Sequence, residues 1–362
     1  SGAEHIIGES ESLAYAGKVA DINGDGWDDV IITDSARDSG PGELFVFLHP
    51  GSAAKATSKW KRIVVFSIDV WHQNDMLIHD MDGDGRLDVV IRTRSPKNRL
   101  VIAFQNSNID NWTVRTFSTG ETAKWPEGIG AGDVDKDGTP EIVLSGVFWK
   151  VTGSWRNSAP KEYMLDSNFV GEEVKSAVLD IDGDGDNDIF LGQAEGNNKN
   201  YLAWYENKGN PLGGQSAWTR HIMKDNVTNY HGIEWADIDG DGDYDLIAGQ
   251  SFSTRSVSIF YNNGNASKWE EQVLSVGLYV LAVYDLDGDG DLDLVGPEEF
   301  RGQTHIYYSK LADNGGNPQP ANKPPVARAG ADLEVNDADG NGSQSVTLDG
   351  SASSDPDGDS LT

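Results

Sequence analysis

Short runs of Val, Ile, Leu and Phe punctuate the chain at regular intervals, each following an acidic, glycine-containing stretch: DVIIT from Asp29, DVVIRT from Asp88, EIVLSG from Glu141, DIFLGQ from Asp188, DLIAGQ from Asp245 and DLVGP from Asp293. Runs this short and this rich in β-branched residues read as buried strands rather than helices. A mixed run such as GIEWADID precedes each acidic stretch, and a third apolar run follows in ELFVFLHP, LVIAFQN, YLAWYEN, VSIFYNN and HIYYSK. A fourth opens with tryptophan in WKRIVVF, WTVRTF, WTRHIM and WEEQVL. Four strands per unit of about 50 residues is the blade of a β-propeller, whose sheets bury their faces against one another around an axis. The pattern therefore predicts an all-β propeller of four-stranded blades, with six blades favoured and seven the alternative. The last unit, from about Tyr279 to Lys310, supplies only three strands, so the strand-like piece EHIIGE at Glu4 to Glu9 is expected to complete it and seal the ring.

The acidic stretches are DINGDGWDD from Asp21, DMDGDGRLD from Asp80, DVDKDGTPE from Asp133, DIDGDGDND from Asp180, DIDGDGDYD from Asp237 and DLDGDGDLD from Asp285. In such a loop the first, third and fifth side chains turn toward one point, glycine permits the bend, and the ninth residue closes the cage. An all-oxygen cage suits calcium, which takes six to eight ligands in irregular geometry, better than magnesium, which keeps its waters. An EF-hand would carry glutamate at the twelfth position and helical flanks; here the ninth residue closes the loop and strands flank it.

The expected metal ligands are Asp21, Asn23, Asp25 and Asp29 in the first loop, and Asp80, Asp82, Asp84 and Asp88 in the second. The third offers Asp133, Asp135, Asp137 and Glu141, and the fourth Asp180, Asp182, Asp184 and Asp188. Asp237, Asp239, Asp241 and Asp245 serve the fifth, and Asp285, Asp287, Asp289 and Asp293 the sixth. A site saturated by protein oxygens leaves no open position for substrate, so these ions are expected to be structural.

Composition narrows the partners. With 59 acidic against 28 basic side chains the formal charge is -31, which repels nucleic-acid phosphates and anionic membrane surfaces. Cysteine is absent, which removes disulfides, thiolate metal sites and cysteine nucleophiles. No run of about 18 apolar residues exists to cross a bilayer as a helix.

The repeated DxDGDGxxD loop between two strands, followed by the WYEN-like strand at Trp204 to Asn207, resembles the FG-GAP/VCBS repeat family of calcium-binding propeller blades. The resemblance covers about residues 1–310. It implies the propeller and several structural calcium ions, and it leaves function open, since the family includes adhesins, lectin-like modules and the propeller parts of some carbohydrate-active lyases. After Lys310 the texture changes to a Gly/Asn/Pro linker, 311–323, and then to PPVARAG, SVTL and LDGSASSDPDGD in 324–362. That segment resembles the opening part of a PKD-type immunoglobulin-like module. The resemblance implies a secreted or cell-surface bacterial setting, in a longer chain that carries other modules.

The face opposite the acidic loops is expected to hold any ligand, because the residues just before each first strand gather there. They include Tyr15, His72, Asn74, Asp75, Trp125, Glu127, Glu172, Glu173, Tyr230, His231 and Tyr279. Loops between second and third strands are expected to add Arg92, Arg94, Trp155, Arg156 and Arg301. Aromatic faces stack on sugar rings, carboxylates bond hydroxyls, and arginines fork onto carboxylate or sulfate. The mixture points to a polysaccharide or other glycan, acidic or sulfated. The same Tyr and Trp positions also suit packing between blades, and the histidines also suit structural hydrogen bonding.

A polysaccharide lyase at this face is the alternative, with His231, Tyr230 and His72 as candidate proton-transfer groups and Arg92 or Arg94 neutralising a uronate. A protein-binding adhesion module is the third reading.

Overall fold

The computed structural model describes residues 6–8, 13–35, 42–53, 59–68, 71–94, 99–119, 127–194, 200–251, 256–274, 278–298 and 303–310. The linker and the PKD-like segment lie outside the described residues, as do Trp125 and Arg301; Tyr15, His72, Asn74 and Arg94 are placed only as positions along strands.

Six antiparallel sheets follow one another in chain order, and each is a simple meander. The first strands are Leu13–Ala20, Trp71–His79, Gly130–Gly132, Val174–Leu179, Tyr230–Ala236 and Ala282–Tyr284. Each runs into its acidic loop, and the loop leads into a second strand at Asp29–Ser35, Asp88–Arg94, Glu141–Leu144, Asp188–Gln193, Asp245–Gln250 or Asp293–Pro297. Third strands are Gly42–Leu48, Arg99–Gln105, Val147–Lys150, Asn200–Asn207, Val257–Asn262 and Thr304–Tyr307. Among the described residues helix is confined to three short turns of 3-10 type, at Gly51–Ala53, Pro211–Gly213 and Gln215–Ala217.

In blades 3 and 4 residues of the second and third strands are buried almost without interruption, the pattern of strands covered on both faces, whereas the third strand of blade 6 is exposed or half-buried throughout. The cores lie between blades. Val90, Leu100 and Phe104 of blade 2 pack with Ile142, Leu144 and Trp149 of blade 3, and the same arrangement joins blades 1 and 2, 3 and 4, 4 and 5 and 5 and 6.

Side-chain amides stitch these seams. Gln105 Nε2 donates to the Ile22 carbonyl in the loop of the preceding blade (2.8 Å), Asn207 Nδ2 to Val134 (2.7 Å) and Asn262 Nδ2 to Ile181 (2.9 Å). Each satisfies a buried carbonyl that the ladder leaves over, worth about 1 kcal/mol apiece.

The sixth sheet has three strands among the described residues. Residues 6–8, part of the piece expected to complete it, belong to no strand, and the Ile7 carbonyl accepts a 2.8 Å bond from the Trp60 N–H of blade 1. Trp155 and Arg156 also depart from expectation. The second-to-third turn of blade 3 is tight, with Leu144 opposite Val147, so both residues follow the third strand and approach the acidic loops instead of the opposite face.

First strands of all six blades surround a central channel of ≈ 450 Å³ whose walls include Lys18, Leu77, Ala131, Ser176, Glu234 and Leu281.

Candidate functional site

Two sets of ionisable side chains stand at opposite ends of the first strands. At one end are the acidic loops, largely held by their own hydrogen bonds. The first aspartate of every loop accepts the N–H of the sixth residue, as in Asp80 from Gly85 (2.8 Å) and Asp237 from Gly242 (3.0 Å). The fifth aspartate accepts the N–H two residues on, as in Asp184 from Asp186 (2.8 Å). The glycine at the fourth position has φ between 73° and 82° wherever it occurs, the left-handed region that a side chain disfavours.

The ninth residue is buried and ties the loop to two strands. Asp188 accepts from Ile181 N–H (3.0 Å) and Asn207 N–H (2.8 Å), and Asp88 and Asp245 repeat both bonds. Burial pushes Asp88 and Asp188 up to about 7 and Asp245 up to about 6, although those N–H bonds pull the other way. Glu141 is likewise pushed up to about 7 by burial, against the pull of a backbone bond and of Lys150.

Could these loops hold a cation? In loops 2 to 5 the first, third and ninth acids bring oxygens within 4.8 Å of one another, and in loop 6 the first, third and fifth do so. Asp82, Asp180 and Asp239 each bury one Oδ1 without a hydrogen-bond partner. A buried carboxylate oxygen with no donor is costly unless a cation meets it, so loops 2, 4 and 5 fit a metal ion. The fifth acids Asp84, Asp184 and Asp241, expected as ligands, belong to none of these triads and serve their own turns. Loop 1 has Asn23 in place of an acid, and its Nδ2 donates to Asp25 (3.0 Å).

At the other end, side chains from five blades meet at the channel mouth. Lys175 of blade 4 lies 3.1 Å from Asp75 of blade 2 and 3.2 Å from Glu127 of blade 3. His231 of blade 5 places Nε2 3.1 Å from Glu127 Oε2 and Nδ1 3.2 Å from the Tyr279 carbonyl. Its ring stacks on Tyr279 of blade 6, with centroids 4.0 Å apart and planes within 16°. Burial alone would raise the Glu127 carboxyl, but the Lys175 charge and the His231 hydrogen bond outweigh it and hold the group well below its ordinary value. Lys175 is raised for the matching reason, its two carboxylates overcoming burial. One layer deeper, burial raises the Glu234 carboxyl while Lys18 and Lys175 pull it down.

Gly128 is the hinge of this assembly. Its N–H donates to Asp75 Oδ2 (2.8 Å), its carbonyl accepts from Arg92 (2.7 Å), and its φ is +74° with the Val174 carbonyl 2.1 Å from where a Cβ would stand. No other residue fits there.

Of the rim residues read from the sequence, Asp75, Glu127, His231 and Tyr279 come together here. Arg92 does not join them: it is fully enclosed and donates to the carbonyls of Glu127 and Gly128 and to Ser145 Oγ (2.8 Å), so it positions the Glu127 backbone. Tyr230 is also enclosed, packed in the core between blades 4 and 5. Both are drawn inward because the seam between blades begins at that level. Glu173 precedes the first strand of blade 4, and its carbonyl accepts the Ala194 N–H (2.9 Å). Lys175 escaped the sequence reading because it lies inside a strand, two residues past the rim.

A ring of strand–acidic loop–strand units around a central channel defines a β-propeller with acidic loops at one end of its blades. The chain belongs to the FG-GAP-like repeat family, whose model matches residues 80–144, 180–248 and 237–296, together half of the chain. It is 25% identical over 229 residues to the rhamnogalacturonan exolyase YesX of Bacillus subtilis (strain 168), covering 48% of this chain and 37% of that one. The chain thus spans under two fifths of that relative's length. A mutant of the Aleuria aurantia lectin in complex with Fucalpha1-6GlcNAc is similar at 14% identity and a TM-score of 0.42, covering 75% of this chain and 82% of that one. No helix among the described residues is long and apolar enough to cross a membrane.

Proposed function

We propose that this propeller binds carbohydrate at the channel mouth, and that loops 2, 4 and 5 hold calcium as structural staples far from that site. The observation that carries the reading is the convergence from five blades of Asp75, Lys175 and His231, which line a channel of ≈ 450 Å³, with Glu127 and Tyr279, which contact them; the volume is within the usual range of ligand pockets. Carboxylates beside an ammonium and an imidazole offer acceptors and donors for sugar hydroxyls, and a Tyr–His stack offers a flat edge for a ring face. The rhamnogalacturonan exolyase by name supports a carbohydrate ligand. We infer a hydroxyl-rich stretch of polysaccharide rather than a densely acidic one. Arg92, the expected partner for a ligand carboxylate, is enclosed, and the Lys175 charge is already shared by two carboxylates.

A binding role fits His231 better than proton abstraction. Both ring nitrogens face acceptors, so neither turns a lone pair toward a substrate. A lyase at the same mouth is the second reading, favoured by the name of the relative alone. Secretion, and membership of a longer chain whose modules include the PKD-like segment, complete the proposal.

The test is a panel of neutral, acidic and sulfated polysaccharides, measured by calorimetry against the wild type and the Tyr279→Ala and His231→Gln variants. Binding of one glycan, weakened at least tenfold in both variants, is expected. Equal affinity in all three proteins would overturn the assignment to the mouth. New unsaturated chain ends, lost in His231→Gln, would replace the binding reading by the lyase.

A further inference from the structure

Loop 3 departs from the other loops in several ways that meet at one side chain. The residue that the register of the second and third strands places opposite the ninth acid is apolar or aromatic in four blades: Leu48, Phe104, Tyr261 and Tyr308, with Glu206 in the fifth. In blade 3 it is Lys150. Register places it across the ladder from Glu141, the ninth residue of the loop. Its Nζ lies 2.9 Å from Asp135 Oδ1 and 2.7 Å from Oδ2, 2.6 Å from Asp137 Oδ2 and 3.1 Å from Glu141 Oε1.

The ammonium therefore touches the third, fifth and ninth acids of the loop, and two of them, Asp135 and Glu141, belong to the triad from which a cation would draw its ligands. The remaining acid, Asp133, accepts the N–H groups of Asp137 (3.2 Å) and Gly138 (2.8 Å). Loop 3, like loop 6, contributes no oxygen to the buried, unpartnered carboxylate atoms of the described residues, whereas loops 1, 2, 4 and 5 each contribute one. Cationic side chains also approach loop 2, where Arg86 and Arg156 pair with Asp84 and Arg156 with Asp82. They take the Oδ2 atoms and leave Asp82 Oδ1 unpartnered. Loop 3 also puts Lys136 (φ 60°) where the other five loops have glycine.

We propose that blade 3 carries its own cation: the Lys150 ammonium takes the place of the divalent ion, and loop 3 is stapled whether or not calcium is present. An ammonium at hydrogen-bond distance from three carboxylates repels a divalent ion from the same oxygens and gives up three charge-assisted bonds if displaced. The inference rests on the reading of loops 2, 4 and 5 as calcium sites. It adds that the propeller is metal-dependent in some blades and metal-independent in this one.

Hydrogen exchange of the whole chain, with calcium and with a chelator, tests both statements separately. Loss of protection in 80–88, 180–188 and 237–245 on chelation, with 133–141 unchanged, is expected. Calcium-dependent protection of 133–141 in the wild type would overturn the proposal, while insensitivity of the other three loops would strike the calcium reading instead. The second measurement is native mass spectrometry of Lys150→Met, folded by circular dichroism. The variant is expected to bind one more calcium ion than the wild type and to make protection of 133–141 calcium-dependent. An unchanged ion count in the folded variant would also overturn the proposal.

Discussion

The two ends of the first strands achieve the same task, holding negative charge in place, by opposite means. At the loop end all the acids of one site come from nine consecutive residues, and the turn itself supplies most of their hydrogen bonds. At the mouth Asp75, Glu127, Lys175, His231 and Tyr279 are separated by up to about two hundred residues and meet only because the ring closes. A local site repeats with the sequence motif, whereas a ring site exists once. The first can be damaged in one blade without affecting the next, and the second depends on five blades together.

Removing calcium should produce the largest effect and should be confined to the loop end. An ion at about a hundred times its Kd stabilises each site by about 2.7 kcal/mol, so chelation that empties loops 2, 4 and 5 should cost about 8 kcal/mol. Denaturant melts with and without chelator measure it. A melt unmoved by chelation would mean that backbone N–H bonds alone hold these loops.

Lys175→Met tests the mouth. It leaves Asp75 and Glu127 in a largely buried site without their shared cation, and breaking such a pair costs about 3–5 kcal/mol. The number of bound calcium ions should stay unchanged in this variant. A stable variant with altered ion binding would show that the two ends are coupled.

The smallest effect is in the acid limb. Glu127 is held at about 2 against an ordinary 4.5, so its folded pKa is depressed. Its contribution is therefore fully present above pH 4.5 and is lost as pH falls toward 2. Glu127→Gln should lower stability at pH 7 and flatten the decline between those two values. Thermal melts from pH 3 to 7 report it, and an equally steep acid limb in the variant would assign the titration to other carboxylates.

The sequence by itself determined the elements, the blade count and the acidic loops. All of these are local: strands follow from short β-branched runs, the loops from aspartates spaced two apart with glycine at the left-handed position. It also determined four members of the mouth, since counting back along each first strand reaches Asp75, Glu127, His231 and Tyr279. What only the tertiary structure decided is who meets whom between blades. Tyr230, at the rim spacing, and Arg92, expected in the loop after its second strand, both turn into the seams, because a strand's alternation says which face a residue takes but not how deep the next blade covers it. Lys175 and Lys150 look like ordinary strand lysines in the sequence. One becomes the bridge of the mouth, because closing the ring brings it carboxylates from two other blades, and the other the cation of a loop, because pairing of the third strand folds it back onto the acids of its own blade.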